Sequence, residues 1–153
     1  MTATYRRHLP QLDGDRIFLT DGGLETTLIY HRGFDLPLFA AFHLMRDAAG
    51  RDALRDYYRP YAEIAADGRL GFVLETPTWR ANSDWGAKLG YGEAALDEFN
   101  RDAVAMMRQI GKQYETPSSP MPVSGNIGPR GDGYNPDRLM SVDEAEVYHA
   151  RQI

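Results

Sequence analysis

Three short apolar runs alternate with stretches of helical spacing along the chain, and polar residues mass directly after each run. Ile17, Phe18 and Leu19 form a first run that passes into Thr20 and Asp21 and ends at Gly22 and Gly23. Gly71 to Leu74 form a second, delivering Glu75 to a loop, and Val123 starts a third before a glycine-rich segment. Short apolar runs bounded by Gly, Pro and Asp read as buried strands. Polar residues just beyond them belong at the carboxyl ends, where α/β sheets and barrels bind ligands.

Between these runs the spacing becomes helical. From Arg51, the positions Leu54, Tyr57, Tyr58, Tyr61, Ile64 and Ala65 recur every three or four residues, with Gly68 placed to cap the helix. Pro60 lacks an amide hydrogen and clashes with the preceding turn, which predicts a kink or break with the helix restarting at Pro60. Leu96, Phe99, Ala103, Val104, Met107, Ile110 and Tyr114 make the cleanest stripe, over about residues 93–114. A short rim helix is expected within residues 82–91, around Trp85 and Leu89. Residues 117–122 (Pro-Ser-Ser-Pro-Met-Pro) are too broken to be helical. Ser141 and Glu144 form a capping box that starts a third helix, expected to run about three turns to Ile153.

This order, strand then helix three times over, predicts an α/β fold with parallel strands presenting their ends on one shared face. Three such strands leave unpaired edges and uncovered faces. The expectation is therefore a partial (β/α)8 TIM barrel of about the first three β/α units. A polar leader occupies residues 1–16, and residues 17–153 belong to a barrel domain incomplete at its carboxyl end.

Composition narrows the partners. The 153 residues are 42% apolar and 25% charged, ordinary for a globular domain. A net charge of -5 with dispersed basic residues argues against nucleic acid. The longest apolar stretch, Leu36 to Met45, includes His43 and is about half of what a bilayer crossing needs. No membrane span or secretory signal is read, so a cytoplasmic location is expected. With no cysteine, disulfides and thiolate metal sites within the chain are excluded.

Asp21, followed by Gly22 and Gly23, is suited to holding a cationic amine while the glycines admit close backbone approach; the plainer alternative is a strand-to-loop turn. Glu75, Thr76, Thr78 and Trp79 offer a carboxylate, two hydroxyls and a ring to a small polar metabolite. Alternatively Glu75 pairs with Arg80 while Trp79 packs under a loop. Asp21 and Glu75 are also the residue types of a glycosidase acid and base, which keeps a metal-independent barrel hydrolase open. Gly125, Gly128, Gly131 and Gly133 fit neither the dinucleotide fingerprint nor a P-loop. His8, His31, His43 and His149 have no ligand spacing.

Taken together, Asp21-Gly22-Gly23-Leu24-Glu25-Thr26, Glu75-Thr76-Pro77-Thr78-Trp79-Arg80-Ala81 and Gly125-Asn126-Ile127-Gly128-Pro129 resemble the homocysteine S-methyltransferase family in order and spacing. The resemblance runs from about residue 12 to Ile153 and corresponds to the amino-terminal part of that family. It implies a (β/α)8 barrel that passes a methyl group from a sulfonium or ammonium donor to homocysteine, giving methionine. It implies zinc on the thiol, which would otherwise be mostly protonated at neutral pH with a pKa of about 8.5. Asp21 and Gly22 match the positions that hold the amino acid, Asp21 facing its ammonium, and Thr76 and Thr78 match polar residues of the second strand end. Pro77 and Trp79 differ from what many members carry.

The family's zinc cysteines lie in later Asn-Cys and Gly-Gly-Cys-Cys segments, and a later strand supplies a further carboxylate toward homocysteine. None of these is present here. No zinc is therefore expected on this chain alone, and methyl transfer by it alone is not expected. The partners implied are a homocysteine-like thiol amino acid and a methyl donor. A different class of reading is a non-catalytic half-barrel that self-associates or pairs with a carboxyl-terminal complement.

Overall fold

The structure, a computed structural model, describes residues 5, 7–134 and 139–153. Parts of the expected leader, residues 1–4 and 6, thus lie outside the described residues.

Three extended runs lie side by side in chain order. Strand β1 (Phe18–Leu19) pairs in parallel with β2 (Gly71–Phe72), and β3 (Leu74–Glu75) pairs in parallel with β4 (Val123–Ser124). Only Val73 separates β2 from β3, and the amides along this run alternate sides. Those of Gly71 and Val73 donate to the Ile17 and Leu19 carbonyls, both at 2.9 Å. Those of Phe72, Leu74 and Thr76 donate to Pro120, Pro122 and Ser124 at 3.0–3.1 Å. The third strand's pairing thus begins before Val123: Pro120 and Pro122 have no amide hydrogen, but their carbonyls still serve the ladder. β1 and β4 are the outer strands among the described residues.

Helices connect these strands. After β1 a left-handed Gly23 (φ 65°) opens a turn, α1 (Leu24–Thr26), which widens into a π-helical turn at Thr27–His31. A β-carbon is disfavoured at that φ, which is why glycine suits the position. Two 3-10 segments, Pro37–Phe39 and Ala41–Arg46, then bury Leu36, Ala40, Ala41, Phe42, Leu44 and Met45. Most of the long apolar stretch of the sequence is therefore core, with Leu38 and Phe39 left exposed. α2 (Ala48–Gly68) follows, its first turn capped by Asp47, whose Oδ1 accepts the Gly50 amide at 2.7 Å.

α2 is continuous through Pro60, contrary to the break expected. A proline deprives the carbonyl four residues earlier of its helical donor. Here that carbonyl, on Asp56, receives a hydrogen bond from Arg32 Nη2 at 3.2 Å. Nor is Gly68 the cap. It closes the helix, and Arg69 takes the left-handed cap (φ 55°), with the Leu70 amide reaching back to the Ala65 carbonyl at 2.9 Å.

α3 (Ser83–Lys88) is the rim helix, and α4 (Glu93–Tyr114) follows the predicted stripe, burying Leu96, Phe99, Ala103, Met106, Met107 and Ile110. α5 (Val142–His149) begins with the capping box at Ser141 and Glu144 but ends sooner than the three turns expected.

The core lies between the strands and helices α2 and α4. Tyr57, Tyr58, Phe42, Phe72, Leu28, Met45, Leu54, Leu74 and Met107 are its largest fully buried side chains. Each fully buried large apolar side chain contributes about 1.5–3 kcal/mol. Phe99 meets Tyr91 edge-on at 5.0 Å and Phe42 at 5.9 Å, tying the 3-10 segments to α4.

Candidate functional site

The carboxyl ends of β1 and β3 open onto a cleft of about 360 Å3 lined by Asp21, Leu24, Glu25, Tyr58, Glu75, Thr76, Pro77, Trp79, Asn126 and Tyr134 among others. Three carboxylates meet there. Burial pushes the Asp21 carboxyl up, and it pushes up Glu25 and Glu75 as well, with the Asp21 charge raising both further. Burial also lifts the Tyr58 phenol well above its ordinary value, helped by the charges of Asp21, Glu25 and Glu75. A cleft where carboxylates repel one another and are poorly hydrated favours a cationic ligand, which relieves both costs.

Asp21 is held from behind. The buried Tyr57 hydroxyl, on α2, lies 2.8 Å from Asp21 Oδ2 and 3.0 Å from the Gly22 carbonyl. Tyr61 donates to the same carbonyl at 3.3 Å. Gly22 thus serves the site through its carbonyl, while Gly23 both lines the cleft and makes the turn that brings Glu25 to it.

Thr76 and Thr78, at the β3 end, are held by the loop after β4. Both are buried, and the Asn126 amide donates to Thr76 Oγ1 at 3.0 Å. The Thr78 hydroxyl donates to the Asn126 carbonyl at 2.9 Å. Because that uses the only Thr78 proton, the 2.7 Å contact between the hydroxyls takes its proton from Thr76. Both protons are committed inside the protein, joining the β3 end to the loop after β4. Thr76 still forms part of the cleft wall, whereas Thr78 lines a different cavity.

The alternative pairing of Glu75 with Arg80 is not formed. The Arg80 guanidinium lies over the Trp85 ring at 4.0 Å and the Trp79 ring at 4.9 Å, and it donates to the Leu38 carbonyl. Trp79 does pack under the loop after β4. A β-carbon on Gly128 would lie 2.2 Å from the Trp79 carbonyl oxygen, so only glycine admits that approach.

A larger cavity, about 820 Å3, follows the outer side of β4 and α4, lined by Thr78, Val104, Arg108, Lys112, Val123 and Gly125 among others. Its single carboxylate, on Glu115, accepts hydrogen bonds from the Met121 amide and the Tyr5 hydroxyl. It lies beside β4, which has no further strand neighbour among the described residues, and the three convergent carboxylates belong to the smaller cleft.

Glu25, Tyr57, Tyr58, Asn126 and Tyr134 were not singled out as site residues from the sequence. Glu25 and Asn126 fall within the quoted segments, whereas the paired tyrosines of α2 read as core. A signal existed only in having two adjacent phenols on a buried stripe, since a buried hydroxyl needs a partner.

The profile of the homocysteine S-methyltransferase family matches residues 18–153. The chain belongs to that family. A search of curated proteins gives no match. Among solved structures, this homocysteine S-methyltransferase family member is similar to the homocysteine methyltransferase MmuM from Escherichia coli in its metallated form, at 21% identity with a TM-score of 0.64. The match covers 92% of this chain and 49% of the other, so the chain spans about half the length of that enzyme.

The metal that the family implies does not fit the residues present. The sequence has no cysteine to supply a soft thiolate ligand. Among the described residues no group of three or more His, Asp or Glu is arranged to hold a metal ion. Among the described residues, no helix is long and apolar enough to cross a membrane.

Proposed function

We propose that this chain carries the amino-acid-binding face of a homocysteine methyltransferase, with Asp21 receiving the ammonium of homocysteine at the ends of β1 and β3. The observation that carries the reading is the convergence of Asp21, Glu25 and Glu75 in one half-buried cleft within a chain of this family. An ammonium donates three hydrogen bonds, and a charge-assisted bond to a poorly hydrated carboxylate is both strong and directional. Glu75 lines the same cleft and suits either the same ammonium or the positive centre of a methyl donor. Thr76 and Thr78 brace the cleft wall by joining the β3 end to Asn126, and the Gly22 carbonyl helps to anchor Tyr57, which supports Asp21.

Methyl transfer itself moves a methyl cation from donor to sulfur and needs a thiolate. Among the described residues no group is arranged to hold zinc, and the sequence has no cysteine, so this reading assigns thiol activation to residues outside these 153. In this reading residues 17–153 form the amino-terminal part of a (β/α)8 barrel preceded by a leader at 1–16, the chain turns over only with its complement, and its setting is the cytoplasm. Family membership favours this over the hydrolase use of Asp21 and Glu75.

Calorimetric titration of the chain with L-homocysteine tests it. Saturable binding that is abolished in Asp21→Asn and weakened in Glu75→Gln is expected. Equal binding by wild type and Asp21→Asn contradicts the assignment.

A second reading rests on the outer sides of β1 and β4, which have no strand neighbour among the described residues. There the chain is a half-barrel that pairs with itself or with a carboxyl-terminal complement through those edges.

A further inference from the structure

Tyr57 sits in the middle of α2, 36 residues from Asp21 in sequence, and is 1% exposed. Its ring is fixed on two sides, edge-on to Tyr58 at 5.1 Å and tilted against Tyr61 at 5.3 Å. Its hydroxyl has one proton and two acceptors within reach, Asp21 Oδ2 at 2.8 Å and the Gly22 carbonyl at 3.0 Å. An ionised carboxylate takes the stronger bond. The Gly22 carbonyl has another donor in Tyr61, which leaves the Tyr57 proton to Asp21. One lone pair of the carboxylate is thereby occupied, and the remaining sites stay open to a cation.

We propose that Tyr57 is a positioning residue for the amino-acid site: its rigid, buried phenol fixes the Asp21 carboxylate in its ionised form and in one orientation toward the ammonium of the substrate. Tyr57 touches no substrate atom. The inference rests on the ammonium role of Asp21 given above. Its physical basis is that a buried carboxylate facing Glu25, Glu75 and the Tyr58 phenol tends to take up a proton and become useless to a cation. Burial raises the Asp21 carboxyl, and the Tyr57 hydrogen bond opposes that rise. Without the phenol, Asp21 is neutral over a wider range of pH.

The test uses the full chain with Tyr57→Phe and Tyr61→Phe. The Asp21 side-chain carboxyl carbon is followed by NMR against pH without ligand, and L-homocysteine binding is then titrated at several pH values. In Tyr57→Phe the Asp21 midpoint is expected to move upward. Homocysteine binding should weaken about three- to tenfold near the midpoint and recover as pH rises. Tyr61→Phe keeps the Asp21 bond and should leave the midpoint in place.

An unchanged Asp21 midpoint in Tyr57→Phe, or a binding loss equal at every pH, overturns the proposal. So does the same upward shift in both variants, which would mark a general loosening of the turn. If Tyr57→Phe does not fold, the wild-type Tyr57 Cζ resonance decides, because it must inflect at the Asp21 midpoint. A chain whose Asp21→Asn variant binds homocysteine normally contradicts the ammonium role itself. That result is separable from the Tyr57 bond, since the carboxyl titration is read without ligand.

Discussion

The buried cleft carboxylates carry a cost in stability, and Asp21 makes it measurable. Its folded-state pKa is raised, chiefly by burial. For a raised group, protonation favours the folded state: the stabilising contribution is complete below the unfolded value of about 3.9 and is lost as pH rises through the folded value. Asp21→Asn, which keeps the shape without the charge, should therefore melt higher than wild type at neutral pH. The gap should close as the pH is lowered, as thermal denaturation at several pH values would show. A variant that melts lower at neutral pH argues that Asp21 is already stabilised by an unrecognised cation.

Binding has the opposite sense. A cation needs ionised carboxylates, so homocysteine affinity should fall with decreasing pH, beginning above the range of exposed Asp and Glu because Asp21, Glu25 and Glu75 are all raised. Isothermal titrations across that range check it, and a flat profile contradicts it. At this scale the sequence places Asp21 and Glu75 at strand ends, and the structure brings both to one cleft. The sequence was not informative for Tyr57, whose spacing is that of a core stripe and whose partner lies on another element. Thr76 and Thr78 read as ligands because their hydroxyls sit at a strand end, and only the loop after β4, folded back onto them, shows where their protons go.

Among elements, α2 shows how a local rule yields to a distant contact. Its apolar spacing, like that of α4, predicts the helix, since three- and four-residue recurrence suffices to bury one face. The break at Pro60 was inferred from the missing amide hydrogen, and the remedy, Arg32 donating to the Asp56 carbonyl, comes from a loop 24 residues earlier. The coupling is testable. Arg32→Ala should cost about 0.5–1.5 kcal/mol in denaturant unfolding, and less in a Pro60→Ala background, where Asp56 regains a helical donor. Equal costs in both backgrounds would show that Arg32 acts elsewhere.

The loop after β4 offers a second case. Gly128→Ala forces a β-carbon against the Trp79 carbonyl and ring, which should cost about 1–3 kcal/mol and disturb the cleft wall. The measurement is denaturant unfolding together with tryptophan emission, and an unperturbed spectrum with unchanged stability contradicts the packing described. That close approach was invisible in a run of spaced glycines, which looks alike whether it binds phosphate or lets two loops touch.

For the whole molecule, strand direction and order were legible from three apolar runs separated by helical sequence, because parallel strands require such crossovers. The short 3-10 segments that build one side of the core were not, since the apolar stretch between Leu36 and Met45 has neither strand nor helix period. Under the half-barrel reading, the free sides of β1 and β4 predict a concentration-dependent rise in mass by light scattering, reversed by adding a complementing carboxyl-terminal half. A constant monomer mass with a cooperative melt removes that reading.

The central claim is that the carboxylate cleft at the ends of β1 and β3 receives the amino group of homocysteine. A crystal structure of the chain soaked with L-homocysteine tests it most directly. The account predicts the ammonium within hydrogen-bond reach of Asp21, with the Tyr57 bond to the same carboxylate intact. Homocysteine density in the larger cavity beside β4, or an ammonium turned away from Asp21, would contradict it.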